Sequence, residues 1–143
     1  MAGWGEGSLT DWPPMDVGYI RSSIQGNIVA YLTWIVLVVW GSAAFGEELL
    51  ARGFIMNRLE AVFGKRGLGI VAAIAGQAAI FGGLHAIQGP TGILITAYAG
   101  IVLGSVYYFS GRNLWAPIIA HGIMDTMALT AMYLGLNLPG HIN

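Results

Sequence analysis

Apolar residues fill four long stretches of this chain, and the polar positions between them mark the expected turns. Residues 27–45, NIVAYLTWIVLVVWGSAAF, contain no Asp, Glu, Lys or Arg. A helix crossing the hydrocarbon core of a bilayer needs about 20 such residues, so this is the first expected span. Residues 46–63, GEELLARGFIMNRLEAVF, change character. Leu49, Leu50, Phe54, Ile55, Leu59, Val62 and Phe63 recur at helical spacing, with charges filling much of the rest. That pattern predicts a helix continuing from the first span into the interface and ending at GKRG, 64–67.

From 67 to 111 only Arg- and Lys-free, acid-free sequence follows, too long for one span. QGPTG, 88–92, is a strong breaker and divides the run into spans at about 69–87 and 93–110. SGRN, 110–113, gives the next turn, and a fourth span covers about 114–136, with Pro117 in its first turn. The expected fold is an all-α, polytopic membrane bundle of about four transmembrane helices plus an interfacial helical segment. Residues 1–25 read as a polar N-terminal tail with interfacial tryptophans, 26–137 as the core and 138–143 as a short C-terminal tail. Arg52, Arg58, Lys65, Arg66 and Arg112 fall on one side and Arg21 on the other. The positive-inside rule then puts loops 46–66 and 111–113 in the cytoplasm and both termini outside.

Composition agrees with this class. Of 143 residues, 56% are hydrophobic and 9% charged, against roughly 25% charged in soluble proteins. The net charge of −1 gives no electrostatic case for nucleic acid. With no cysteine, disulfides, thiolate metal sites and cysteine nucleophiles are excluded. The 22 glycines include GIVLG, 100–104, a small-xxx-small pattern that lets membrane helices approach closely.

Ionisable side chains inside a membrane are costly and face the protein interior. The candidates are Glu47, Glu48, Arg52, His85, His121 and Asp125. Glu48 and Arg52 are spaced for a helical ion pair, and read alone they form a surface pair at the interface. Glu47 points about 100° away from Glu48, so the two acids serve different ends. His85 read alone is a packed histidine bonded to a backbone carbonyl. His121 and Asp125 share one helix face, where a carboxylate orients an imidazole or both hold a metal or a water. His141 lies near the terminus and reads as solvated. Together two acids, two histidines and an aspartate supply the groups for water activation or for metal ligation.

At these residues the sequence resembles the CPBP (CAAX protease and bacteriocin-processing, or Abi) family of intramembrane proteases. EELLAR, 47–52, matches its Glu-Glu-x-x-x-Arg motif. FGGLH, 81–85, matches Phe-x-x-x-His, and HGIMD, 121–125, matches His-x-x-x-Asn/Asp. The resemblance covers about residues 30–135 and implies peptide-bond hydrolysis within the membrane. It implies Glu47 as general base, His85 holding the water or the base, and His121 with Asp125 binding the carbonyl as it becomes an oxyanion. Glu48 and Arg52 would fix the helix. Asp125 stands where the prenyl-protein proteases of the family have Asn. Zinc or another divalent metal on Glu47, His85, His121 and Asp125 is the alternative, but the sequence has no His-Glu-x-x-His motif and metal-free chemistry is preferred. Expected partners are a peptide or protein substrate and membrane lipid, with no nucleic acid. The expected location is a prokaryotic cell membrane. A non-catalytic immunity or scaffold protein of the same fold, and a small ion or proton pathway, are the competing functions.

One expectation strains. Along a straight second span, His85 lies about 24 Å from Gly69, near the far side, whereas Glu47 and His121 fall toward the cytoplasm. A closed site requires a tilted or deeper helix, or a 46–63 helix that runs within the membrane.

Overall fold

The structure, a computed structural model, describes residues 13–136. These residues form α1 (Gly18–Ile24), α2 (Ile28–Phe63), α3 (Leu68–Leu84), α4 (Gly89–Phe109) and α5 (Trp115–Tyr133), with no strand among them. The first twelve residues, with Trp4 and Trp12, and the C-terminal tail with His141 lie outside the described residues.

Local chemistry sets each boundary. Gly26 has φ +73°, and the Asn27 side chain accepts a hydrogen bond from the Ala30 amide, capping α2. Gly64, at φ +107°, stops α2, and Gly67 opens α3. QGPTG breaks the chain as expected: a short 3₁₀ turn, Ala86–Gln88, ends α3, and Pro90 sits in the first turn of α4. At the α4–α5 turn Arg112 takes φ +62°. Its guanidinium bonds the buried Glu60 carboxylate at 2.9 and 3.0 Å, tying this turn to the end of α2.

α2 runs on past residue 45 as expected and ends at Phe63, just before GKRG, as one helix of 36 residues. Its backbone is π-helical over Trp34–Glu47 and Leu49–Met56, a rare geometry. Only 11% of its most apolar window is buried within the protein. Val29, Val36 and Leu37 face outward, which suits lipid rather than a soluble core.

Among the described residues two helical segments are long and apolar enough to cross a membrane, Ile28–Phe63 and Ala86–Phe109. α3 is apolar but has 17 residues, and α5 carries His121 and Asp125. The structure therefore supports a membrane protein with two such helices, fewer than the four spans expected.

α3 and α4 make the closest pairing, and glycine is the reason. A Cβ on Gly100 would stand 2.9 Å from the Ala78 backbone, and one on Gly104 would stand 2.7 Å from the Gln77 amide nitrogen. The GIVLG pattern is thus a real helix contact. α5 packs on α2, with Gly122 seated under the Trp40 ring. Two apolar clusters flank the middle. Met56, Ile70, Ala73 and Tyr107 fill one end. Val17, Ile24, Val39, Leu129 and Met132 fill the other. Within the segment expected as a polar tail, α1 and the residues before it therefore pack on the core. The Asp16 amide donates to the Gln88 carbonyl, and the Thr91 hydroxyl donates to the Pro13 carbonyl.

Candidate active site

α2, α3 and α5 bring the four singled-out side chains to one place. Glu47, His85, His121 and Asp125 all line a cavity of about 400 Å³. The depth difficulty disappears because α2 stays in the bundle. Glu47 precedes Phe63 and His85 follows Leu68 by similar numbers of residues. Phe63 and Leu68 flank the same short turn, so the two groups reach the same level.

His85 ends α3. Its Nδ1–H donates to the Phe81 carbonyl at 2.9 Å, which a carbonyl can only accept. In the neutral ring Nε2 then carries the lone pair. That nitrogen faces a Glu47 carboxylate oxygen at 4.0 Å. The Phe81 ring lies 4.9 Å from the His85 ring and 6.2 Å, edge-on, from the His121 ring. Glu47 and His85 are both partly exposed to the cavity.

Glu48 points the other way and is fully buried. One of its oxygens accepts from Arg52 Nη1 at 2.7 Å and from His121 Nδ1 at 2.8 Å. Glu48 and Arg52 are therefore no surface pair. Glu48 holds the His121 ring directly, and His121 Nε2 faces Asp125 at 3.4 Å. The Arg52 guanidinium also donates to the Gly100 carbonyl at 3.0 Å and lies over the Phe81 ring. Arg52 thus leaves the set of cytoplasmic-side charges counted from the sequence.

Gln77 was not singled out from the sequence, yet it is fully buried at the centre of this network. Its amide donates to the Gly100 carbonyl at 2.7 Å and to the Ile74 carbonyl at 3.1 Å. A chain of polar contacts thus runs from α3 through Gly100 and Arg52 to Glu48 and His121. The available signal was a lone amide in an otherwise apolar span, costly for the same reason as a charge.

Among the described residues no group of three or more His, Asp or Glu side chains is placed to hold a metal ion. Both ring nitrogens of His121 face carboxylates, and His85 turns Nδ1 to a backbone carbonyl, which leaves its Nε2 toward Glu47.

A second cavity, of about 330 Å³, shares Glu47, Phe81, His85 and Gln88 with the first. Leu50, Ile55, Leu84 and Ile87 form its walls, and neither His121 nor Asp125 reaches it.

A family model described as type II CAAX prenyl endopeptidase Rce1-like matches residues 29–127. No curated protein and no solved structure matches the chain.

Proposed function

The chain belongs to the Rce1-like family of type II CAAX prenyl endopeptidases, and from that premise we propose that it hydrolyses peptide bonds with a water activated by Glu47 in a membrane-embedded cavity. The observation that carries this reading is the common cavity lined by Glu47, His85, His121 and Asp125. In the proposed membrane arrangement α3 and α5 join α2 and α4 as spans. The polar network between the helices then faces protein rather than lipid.

Water sits between Glu47 and the lone pair of His85 Nε2. Glu47 takes one of its protons as the oxygen adds to the scissile carbonyl carbon. Charge develops on the carbonyl oxygen, and His121 Nε2–H donates to it. Nδ1 already donates to Glu48, so His121 works as the imidazolium, flanked by Glu48 and Asp125. Arg52 holds Glu48, and Arg52 and Gln77 both hold the Gly100 carbonyl of α4. When the tetrahedral adduct collapses, the C–N bond breaks and Glu47 returns its proton to the leaving nitrogen. The products are a carboxylic acid and an amine, with one water consumed. An ionised Asp125 can only accept hydrogen bonds, so its part is that of a counter-charge beside the imidazolium, with the Nε2–H turned to the carbonyl oxygen. No step requires a metal.

The substrate is a peptide or protein segment that reaches the cavity from the bilayer or from water. The test is cleavage of labelled peptides, prenylated and unprenylated, by the protein purified in detergent. Cleavage that disappears in Glu47→Gln supports the reading. A protein that cleaves nothing, while Glu47→Gln keeps its cellular effect, is a scaffold.

A further inference from the structure

We infer that Gln77 is a positioning residue for the hydrolysis: through the Gly100 carbonyl, Arg52 and Glu48 it holds the His121 ring at the angle the oxyanion needs. The inference rests on the endopeptidase reading and adds to it a residue that lines neither cavity.

Gln77, Phe81 and His85, spaced by four, form one stripe of α3 that ends at its C-terminal cap. His85 opens toward Glu47, and the Phe81 ring lies beside both imidazoles. Gln77, about two turns behind His85, is fully buried. Both partners of its Nε2 are carbonyls, Gly100 at 2.7 Å and Ile74 at 3.1 Å. Carbonyls can only accept, which fixes the way the amide faces. Its Oε1 is buried with no hydrogen-bond partner among the described residues. For stability alone an apolar side chain of the same length would serve better there, since half of the amide goes unpaired. The paired half meets Arg52 on a single oxygen.

From that oxygen a stiff path leads to the site. Arg52 Nη2 donates to the Gly100 carbonyl at 3.0 Å, and Nη1 donates to Glu48 Oε1 at 2.7 Å. The guanidinium is planar and rigid, so a displacement at one nitrogen carries to the other. The same Oε1 pairs with His121 Nδ1 at 2.8 Å. The His121 ring is thus referenced to a carbonyl on α4, and Gln77 fixes that carbonyl from α3. Gly104 leaves the room for this. A Cβ there would stand 2.7 Å from the Gln77 nitrogen and push the amide aside. A His121 ring slightly turned still borders the bound peptide but donates poorly to the oxyanion. The loss therefore falls on turnover and not on substrate binding.

The experiment measures kcat, KM and the thermal unfolding midpoint of the full chain in detergent, and follows the His121 Nδ1–H proton by NMR. Gln77→Met keeps the length of the side chain and removes the donor. It should lower kcat by about 10- to 100-fold, leave KM within about twofold and move the Nδ1–H resonance upfield. Gly104→Ala should also lower kcat, with little change in the midpoint. In an Arg52→Lys background the path is already broken, so Gln77→Met should change kcat by less than about twofold. A lowered midpoint with kcat and the resonance unmoved overturns the inference, as does the full loss of kcat in the Arg52→Lys background. Both results leave the endopeptidase reading intact. If Gln77→Met does not fold, Gly104→Ala decides: a fall in kcat supports the inference and an unchanged kcat overturns it. If the unaltered protein cleaves nothing, the endopeptidase reading falls, and the resonance alone decides whether Gln77 holds the ring.

Discussion

The Nε2 atom of His85 stands 4.0 Å from a Glu47 carboxylate oxygen. That gap is too long for a hydrogen bond and suits one shared water, since two contacts of about 2.8 Å meeting near a right angle span it. Glu47→Gln keeps the size of the side chain and removes the base. Cleavage should fall by about 10²- to 10⁴-fold, with the thermal unfolding midpoint in detergent almost unchanged.

Asp125 invites a sharper test. Asparagine at this position keeps the shape and adds an N–H donor toward the carbonyl oxygen. Asp125→Asn should hold kcat within about tenfold of the unaltered protein. Asp125→Leu removes every polar contact and should cost about 10²-fold. Steady-state kinetics on one peptide decides between them, and equal loss in both variants would show that the negative charge itself is needed.

The Glu48–Arg52 pair has no solvent access. Arg52→Ala leaves a buried carboxylate with only His121, and breaking such a pair costs about 3–5 kcal/mol. Arg52→Lys should fall between, because an ammonium group lacks the planar fork that now reaches both Glu48 and the Gly100 carbonyl. Denaturant unfolding in mixed micelles, followed by helical signal, gives the order.

Gly100 and Gly104 separate backbone from side-chain crowding. An alanine Cβ at 100 meets the backbone of Ala78, whereas at 104 it meets the movable end of Gln77. Gly100→Ala should destabilise by about 1–3 kcal/mol and Gly104→Ala by less. Equal effects would mean that α3 shifts freely against α4.

Chelation tests the donor geometry. Because no three acidic or imidazole groups converge among the described residues, prolonged treatment with a strong chelator should leave the cleavage rate unchanged. A loss restored by adding zinc would reverse that expectation.

The all-helical class and the residues that gather in the cavity were legible because an ionisable group is conspicuous in an apolar run. Glu47, His85, His121 and Asp125 stood out for that reason. The continuation of α2 to Phe63 was legible from its helical spacing, but the partners of its charges were not. GEELLAR looks interfacial by composition, and nothing local reveals that His121, far along the chain, supplies the second partner of Glu48. Gln77 escaped because attention fell on charges, although a buried amide has the same need for partners. The size and sharing of the two cavities depend on how Phe81, Leu84 and Ile87 pack, and no periodicity encodes that.

The position of Glu47, Glu48 and Arg52 midway along α2 bears on how the protein is made. Placing an ionised side chain at the centre of a lone inserting helix costs about 2.5–3.5 kcal/mol. Arg52 partly relieves Glu48 at once, being on the same helix, but His121 belongs to α5 and is synthesised 73 residues after Glu48. The charges of α2 are therefore fully satisfied only once α5 has emerged. Under the proposed function, the stable residence of α2 in the bilayer waits on α5, which couples membrane insertion to completion of the proposed site.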